Sequence, residues 1–352
     1  MKENRFYLLD IARGLAAFAV VIFHYKLFYD PKISLDEFSQ STQPFYNYIN
    51  YVYDYGWMAV QFFFVLSGFI FYELYSEKIL SKKINLKRFF LLRFSRLYPL
   101  HFLMLILITI LFYNFGETNP LIFIYQFDIK HFFLNIFLIQ SWGFENTDSF
   151  NGPAWSISIE FFLYGIFFTI FFNKLNNNKI LVLLILISLP VYYLNKYLGY
   201  GIYCFFIGGA ANLIFKKIEN KKYYLSKIIK ILALLILLSI FLINVLNNQI
   251  LLKFITFTLL FPSLLLIMMA FQLNNSQTGK NFKIIGEASY SVYLIHYIIQ
   301  IIIYIILVSL NVKINFNSEI IFISYILMVF LLSCIMYKFF EIPFQKLIRD
   351  RF

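Results

Sequence analysis

The chain has 352 residues, of which 61% are hydrophobic and 14% are charged, and its formal net charge is +12. This composition excludes a water-soluble globular protein and predicts an integral membrane protein with several spans. The lysines and arginines lie in short loops between apolar segments, so we interpret them as topology signals and contacts to membrane lipid headgroups, and we expect no nucleic-acid partner.

Apolar segments in chain order predict an all-α, polytopic membrane protein with about ten transmembrane helices, in a single domain over residues 1–352. The loop 76–96 is strongly basic, whereas the loop 29–53 has one lysine against three acidic residues. By the positive-inside rule, the first loop is cytoplasmic and the second is outside. The ten predicted helices lie near 6–28, 54–75, 89–114, 155–173, 179–195, 201–216, 228–246, 251–273, 288–310 and 319–340.

The apolar segment 131–142 is too short for a further crossing. Its 12 residues fall short of the ~20 that a spanning helix needs. The basic loop 216–227 and the basic C-terminal tail share the cytoplasmic side only if 131–142 does not cross. We therefore predict a re-entrant or interfacial segment there, with both termini in the cytoplasm.

The ionisable residues Asp10, Arg13 and His24 lie inside the first apolar segment. A charged residue at the bilayer centre costs roughly 2.5–3.5 kcal/mol on insertion scales, so such residues usually pair or take part in function. At ~100° per residue all three lie on one helix face, and at ~1.5 Å rise per residue that face extends about 21 Å. Asp10 and Arg13 are expected to pair, and His24 is the candidate for chemistry.

Small and basic residues mark the second and third predicted helices. Ser67 and Gly68 lie among bulky residues, which predicts close helix packing, and Ser67 is a further candidate for contact with substrate. Arg93 and Arg96, at i,i+3 before a proline, are either cytoplasmic anchors or a grip on the phosphates of an anionic cosubstrate. His101 is expected to be a packed histidine.

Further polar residues enter the later helices. Glu160 lies about one turn inside the fourth full span, where a carboxylate seeks a donor or a cation. It either pairs structurally or orients a substrate. Ser156 precedes Glu160 by four residues and shares its helix face. The remaining candidates for the substrate site or its surroundings are Trp155, Tyr290, His296 and Glu341.

Six motifs follow one another along the chain: L-D-x-x-R-G with a histidine eleven residues after its arginine (9–24), F-F-V-L-S-G-F (63–69), the arginine pair before L-x-P (93–99), W-S-x-S-x-E (155–160), S-Y-S-x-Y-L-x-H (289–296) and E-x-P-F (341–344). With these motifs in this order, the chain closely resembles the acyltransferase family 3 membrane proteins over essentially its full length. The family comprises acyl-CoA-dependent O-acyltransferases that modify bacterial cell-surface glycans. It usually has a second acidic residue after the W-S-x-S-x-E glutamate, whereas Phe161 stands here and leaves Glu160 as the candidate.

The resemblance implies that acyl-CoA, expected to be acetyl-CoA, binds from the cytoplasm as a cosubstrate and that its acyl group passes to a hydroxyl outside. Arg93 and Arg96 would contact acyl-CoA. The acceptor would be a cell-surface or lipid-linked glycan, served from the bacterial inner (cytoplasmic) membrane. No bound cofactor and no metal is expected. The residues with catalytic roles would be His24, Arg13, Asp10 and Glu160, with Arg13 and His24 as the central pair.

The sequence shows no fused SGNH hydrolase-like domain, which some family members carry. We therefore expect either direct transfer to the acceptor or relay of the acyl group to a separate periplasmic transferase. Acyl transfer to a hydroxyl needs a base to take the proton and donors that hold the oxyanion. His24 can be that base, or a nucleophile that carries the acyl group.

Two further interpretations remain open. A transporter or flippase of lipid-linked glycans would also have ten or more spans with charges inside the membrane. A different membrane-bound O-acyltransferase fold also uses a histidine in an apolar helix, for which His296 is the nearest candidate. That interpretation leaves the face shared by Arg13 and His24 unexplained.

Overall fold

A computed structural model describes residues 6–116, 126–145, 148–219, 225–245 and 248–351. Within these residues every regular element is a helix, which confirms the predicted all-α polytopic fold. The α-helices are α1 (Tyr7–His24), α2 (Tyr46–Tyr55), α3 (Ala59–Leu74), α4 (Ser76–Leu80), α5 (Leu86–Phe115), α6 (Ile129–Ile136), α7 (Trp155–Phe172), α8 (Asn178–Leu194), α9 (Lys196–Glu219), α10 (Leu225–Val245), α11 (Gln249–Ile255), α12 (Phe261–Asn274), α13 (Lys283–Glu287), α14 (Ser289–Ser309), α15 (Glu319–Met336) and α16 (Ile342–Asp350).

Nine of the ten predicted helices lie in helical segments that are long and apolar enough to cross a membrane, counted over the described residues. The remaining predicted helix, 179–195, forms as α8. Its 17 residues rise about 25 Å, which is somewhat less than the ~30 Å of a hydrocarbon core. The nine segments are Tyr7–Phe28, Tyr46–Leu74, Leu86–Phe115, Gly152–Phe172, Lys196–Glu219, Ser226–Ile243, Gln249–Asn274, Ser289–Ser309 and Glu319–Asp350. The second segment therefore begins eight residues before its predicted start.

The segment 131–142 contains most of a short helix, α6, which has 8 residues. The Asp128 side chain caps α6 by accepting a hydrogen bond from the His131 N–H at 2.9 Å, which satisfies one of the helix's free donors. After α6 the backbone of Leu138 adopts a left-handed φ of 57°, and the chain continues through turns. This confirms that 131–142 forms no spanning helix.

Two stretches of π-helix occur directly before prolines. Thr256–Leu260 precedes Pro262, and Tyr337–Glu341 precedes Pro343. A proline has no N–H for the carbonyl four residues earlier, and its ring crowds that carbonyl, so the helix widens locally. The second of these turns ends at Glu341 and so sets the position of that carboxylate on the last long helix.

The chain divides into two compact units, each formed from separate stretches of sequence. The first unit comprises residues 1–14, 60–86 and 160–286. In it, helices α3 and α9 approach through glycines: a Cβ added to Gly68 would lie 1.8 Å from the carbonyl oxygen of Phe205, and one on Gly208 would lie 1.9 Å from that of Val65. This confirms the close packing predicted from the small residues of the second span.

The second unit comprises residues 15–59, 87–159 and 287–352. Most of α14 is buried in it. One side of α14 packs Tyr297, Ile301 and Ile305 against Leu105 and Ile108 of α5. Because α14 is enclosed by its neighbours, the polar side chains on its remaining faces are held in fixed positions.

Candidate active site

The second unit brings together two histidines that are far apart in the sequence. Nδ1 of His24, the last residue of α1, lies 3.1 Å from Nε2 of His296 in α14. The rings are stacked, with centroids 5.2 Å apart and an interplanar angle of 26°. His296 is fully buried, whereas His24 is half-buried. His24 is thus the member of the pair that a substrate can reach.

Gln300 fixes the end of α1 against α14. Its Nε2 donates a hydrogen bond to the His24 carbonyl oxygen at 2.9 Å, which satisfies a carbonyl that the end of a helix leaves free. The Gln300 side chain is 4% exposed, and its Oε1 accepts no hydrogen bond from any of the described residues. This oxygen is therefore an unsatisfied buried acceptor close to the end of α1. Gln300 is not among the residues predicted from the sequence, although its i,i+4 spacing from His296 could have indicated it.

The carbonyl oxygen that contacts His296 determines which ring nitrogens of the two histidines carry a proton. Nδ1 of His296 lies 3.2 Å from the carbonyl oxygen of Val292. A carbonyl only accepts hydrogen bonds, so in neutral His296 the proton is on Nδ1 and Nε2 is an acceptor. His24 then donates from its Nδ1–H, and its Nε2 keeps a free lone pair. The geometry therefore orients His24 as a proton acceptor.

A second polar cluster lies at the start of α14, also in the second unit. Ser291 donates a hydrogen bond to the Glu341 carboxylate, and Tyr290 donates to the Leu97 carbonyl oxygen of α5. Glu341 is 4% exposed, and the positive charge of Arg96 acts on it. Ser291 and His296 are five residues apart on α14, which corresponds to a rise of about 7.5 Å.

The arginine pair lies on α5, and Arg96 is close enough to Glu341 of this cluster to interact with it electrostatically. Arg93 is 8% exposed, which is deeper than an ordinary anchor at the membrane surface. Arg349 of α16 joins the same region, because its Nε donates to Ser95 Oγ at 3.0 Å. The predicted cosubstrate residues therefore lie on the same turns of α5 that Arg349 contacts.

Asp10 and Arg13 form the predicted pair in the first unit. Arg13 NH1 donates to Asp10 Oδ1 at 3.0 Å, and the two side chains are 17% and 15% exposed. The first turns of α1 are held by close contacts at Gly14 and Gly286: a Cβ added to Gly286 would lie 2.2 Å from the Asp10 carbonyl oxygen. Arg13 and His24 are eleven residues apart on α1, which corresponds to a rise of about 16 Å. Arg13 therefore pairs with Asp10, and His24 with His296.

Glu160 is bound by hydroxyl groups in the first unit. Its Oε1 accepts hydrogen bonds from Ser67 Oγ at 3.0 Å and from the Tyr164 hydroxyl at 2.5 Å. Two donors stabilise a carboxylate within an apolar helix. These contacts favour structural pairing over a free acid, and they explain Ser67 as a partner of Glu160.

Ser156 does not share its contacts with Glu160, although both lie on α7. In the second unit, the Tyr293 hydroxyl donates to the Pro153 carbonyl oxygen at 2.6 Å, and Ser156 Oγ lies 2.8 Å from the same hydroxyl oxygen. Trp155, at the start of α7, is half-buried. Ser156 therefore helps to fix Tyr293, which lies three residues before His296 on α14.

The other two histidines have structural contacts in the second unit. His101 is 1% exposed and its Nε2 lies 2.9 Å from the Asn135 carbonyl oxygen, which confirms a packed histidine. His131 Nδ1 lies 2.6 Å from Asp128 Oδ2. Cys204 and Cys334 are free thiols, the first buried and the second partly exposed.

Comparison with known proteins identifies the class. The family described as an acyltransferase domain, Acyl_transf_3, matches residues 6–338, and the chain belongs to this family, acyltransferase family 3. Residues of the chain are 34% identical over 123 residues to "Protein 2 in picA locus" of Rhizobium radiobacter, an alignment that covers 34% of this chain and 53% of that protein. They are 32% identical over 112 residues to "Acyltransferase MdmB" of Streptomyces mycarofaciens, covering 31% of this chain and 27% of that protein.

The matches to these two relatives span about half and about a quarter of their respective lengths. No solved structure is significantly similar to the chain. Membership of this family supports membrane acyl transfer as the reaction class, and the activity, acyl donor and acceptor of this chain are addressed below.

Proposed function

We propose that the protein is an acyl-CoA-dependent O-acyltransferase of the bacterial inner membrane, with both termini in the cytoplasm. It transfers an acyl group, expected to be acetyl, from cytoplasmic acyl-CoA to a hydroxyl of a cell-surface or lipid-linked glycan. The observation that carries the proposal is the pair of His24 and His296, in which the free Nε2 of His24 is oriented to accept a proton. The family supports acyl transfer as the reaction class.

The reaction begins when Nε2 of His24 takes the proton of the acceptor hydroxyl. The hydroxyl oxygen then attacks the thioester carbonyl and forms a tetrahedral oxyanion, which needs nearby donors. When the intermediate collapses, the C–S bond breaks, the ester forms, and the CoA thiolate receives the proton from His24. His296 positions His24 throughout by accepting its Nδ1–H. A general base of this kind contributes about 10²–10⁴-fold to a rate.

A two-step route uses the same residue as a nucleophile. His24 Nε2 then attacks the thioester itself, CoA leaves, and the acyl-imidazole passes its acyl group to the acceptor hydroxyl. The same orientation serves both routes, since each needs the lone pair on Nε2. In the relay alternative, the acyl group would pass to a separate periplasmic transferase and not directly to the glycan.

Acyl-CoA is held by the basic cluster on α5. Arg93 and Arg96 provide guanidinium groups that bind phosphate oxygens in bidentate geometry. The Glu341 carboxylate, which accepts a hydrogen bond from Ser291, also attracts Arg96 electrostatically. Ser291 and His296 lie on one helix, so this basic cluster and the histidine pair both contact α14.

The experiment compares glycans of cells that lack the gene with those of cells that express the wild-type chain or His24→Ala. We expect mass spectrometry to find the acylated glycan only with the wild-type chain, while His24→Ala still inserts into the membrane. His131→Gln is the control for loss of a histidine outside the pair. Purified wild-type protein in liposomes should release CoA from acetyl-CoA when extracted glycan is added.

Two results would contradict this function. Unchanged glycan acylation in cells without the gene would show that this glycan is not the acceptor of the protein. Purified wild-type protein that moves lipid-linked glycan across a bilayer without consuming acyl-CoA would favour the flippase.

A further inference from the structure

The second unit contains a cavity of about 210 Å³, lined by the segment 41–48 together with Asn317 and Glu319. We propose that this cavity binds one saccharide unit of the acceptor and holds it for acylation, an inference that rests on the proposed function. It lies in part on the loop 29–53, which the charge pattern predicts to be outside.

The chemistry of the lining matches a sugar. Tyr48 is 85% exposed and offers an aromatic face against which the C–H groups of a pyranose ring can pack. Glu319 offers a carboxylate, and Asn47 and Asn317 offer amides, which together accept from and donate to neighbouring hydroxyls. An aromatic surface with a few placed polar groups is typical of a small-molecule site.

Gln43 supplies an unused acceptor in the cavity wall. Its side chain is 5% exposed, and its Nε2 donates to the Gln40 carbonyl oxygen at 3.2 Å. Its Oε1 is buried and accepts no hydrogen bond from the part of the chain that the structure describes. Buried polar atoms in proteins nearly always have a partner, so this oxygen is an unsatisfied acceptor within the wall of the cavity.

The wall of the cavity is fixed before a ligand arrives. The Tyr53 hydroxyl donates to the Pro44 carbonyl oxygen at 3.0 Å, and the Tyr46 hydroxyl donates to Asp54 Oδ2 at 3.3 Å. The rings of Phe45 and Phe322 lie 6.0 Å apart and join the wall to α15. A site arranged in advance loses less conformational entropy when it binds.

The cavity is linked to the histidine pair by two tyrosines. Tyr25, the residue after His24, donates to the Phe316 carbonyl oxygen at 3.0 Å. Tyr29 donates to Oδ1 of Asn317, the residue after Phe316, at 2.8 Å. The residues that follow His24 therefore hold one wall of the cavity. A sugar seated there lies at the end of α1 that carries the proposed base.

The size of the cavity limits what it binds. Its volume of about 210 Å³ is below the roughly 300–1,000 Å³ of pockets that enclose drug-sized ligands. One sugar ring of a longer chain can occupy it, with the rest of the glycan outside. The same saccharide chemistry occurs in an exported glycan and in its lipid-linked precursor.

The test measures acyl transfer to two acceptor preparations from cells that lack the gene: extracted surface glycan, and an organic-solvent extract containing lipid-linked glycan. Tyr48→Ala and Glu319→Ala should each raise the KM for the preferred preparation by about tenfold, while kcat and the KM for acyl-CoA stay unchanged. Tyr51→Ala, on the same helix α2, and Glu37→Ala, on the same loop, lie outside the cavity lining and should leave all three constants unchanged.

The outcomes separate this inference from the proposed function. If wild-type protein acylates a glycan and the cavity variants have wild-type KM values, the inference is wrong and the function stands. If wild-type protein acylates neither preparation, the function is wrong. The inference is then decided by saturation-transfer NMR of the extracted glycan without acyl-CoA. Glycan signals that are lost with Tyr48→Ala and kept with Tyr51→Ala support the inference. Absence of these signals with the wild-type protein overturns it.

Discussion

His24 and His296 are 272 positions apart in the sequence, yet their ring nitrogens Nδ1 and Nε2 lie 3.1 Å apart. The hydrogen bond joins the last residue of α1 to the buried middle of α14, and Gln300 adds a second bond one turn further along α14. Because a neutral imidazole has one donor and one acceptor, this contact decides which nitrogen of His24 is free. The two histidines are therefore one functional unit.

His296 can be tested by comparing an apolar replacement with a polar one. We expect His296→Leu to lower kcat by about 10²-fold with an unchanged KM for acyl-CoA, because His24 loses the acceptor that orients it. His296→Gln offers an amide oxygen to the His24 Nδ1–H and should keep more of the activity. Steady-state kinetics on purified protein in liposomes measure both. Equal losses in the two variants would mean that His296 is needed only for packing.

The arginine cluster predicts that geometry matters beyond charge. Arg93→Lys and Arg96→Lys keep the charge but lose the planar fork that binds phosphate, so each should weaken acyl-CoA binding by roughly tenfold. Isothermal titration with a non-hydrolysable acyl-CoA analogue measures this. Lys338→Arg, on the last long helix, is the control. Wild-type affinity in both arginine variants would restrict the pair to a topological role.

The contact between α3 and α9 predicts opposite results for two glycines. In Gly68→Ala the new methyl group would meet the Phe205 carbonyl oxygen, at 1.8 Å without adjustment. The resulting shift should cost about 1–3 kcal/mol. Gly165 in α7 has no atom within 4 Å of an added Cβ, so Gly165→Ala should be neutral or stabilising by up to ~1 kcal/mol. Thermal unfolding in detergent compares the two, and equal melting temperatures would contradict the close approach.

The membrane orientation is tested by cysteine labelling. In a background of Cys204→Ala and Cys334→Ala, cysteines at Ser39 and Asp148 should react with an impermeant thiol reagent from outside, and one at Ser81 should react only after permeabilisation. The reason is the distribution of basic loops, together with a segment 131–142 that forms no spanning helix. Protection of the cysteine at 148 with labelling at 39 would place the start of α7 on the cytoplasmic side.

Glu145 predicts a pH dependence of stability outside the spanning helices. Withdrawal from water raises the pKa of Glu145 to about 7, from an ordinary value of 4.5, and the charges of Asp148 and Asp128 add to the rise, while the Ser149 hydrogen bond and Lys130 oppose it. Since the folded state binds this proton more tightly, the stabilisation is complete below pH 4.5 and is lost as the pH rises to about 7.

Glu145→Gln should therefore raise the melting temperature at pH 8, by on the order of 2 °C, and change it less at pH 5. Differential scanning fluorimetry at the two pH values measures the difference. Glu37→Gln, an exposed glutamate of another loop, is the control. A variant that is equally shifted at both pH values would show that the carboxyl group is not the cause.

The sequence by itself determined the features that depend on local spacing. The length and composition of the apolar segments predict ten membrane helices, because a bilayer requires long apolar helices; among the described residues nine are long enough to span and the tenth, α8, is shorter. The i,i+3 spacing predicts the pair of Asp10 and Arg13, since residues three apart meet on a helix. The small side chain of Gly68 predicts the close approach to another helix, although not that its partner is α9.

Only the tertiary structure decided which distant residues meet. Periodicity places His24 and His296 on faces of their own helices, but the packing of α1 against α14 is set by the whole core, so the contact between the two histidines could not be predicted from the sequence. Helical spacing places Ser156 and Glu160 on one face, whereas neighbouring helices supply Tyr293 to the first and Ser67 to the second. Side-chain contacts between helices depend on crossing geometry, which a helical period does not contain.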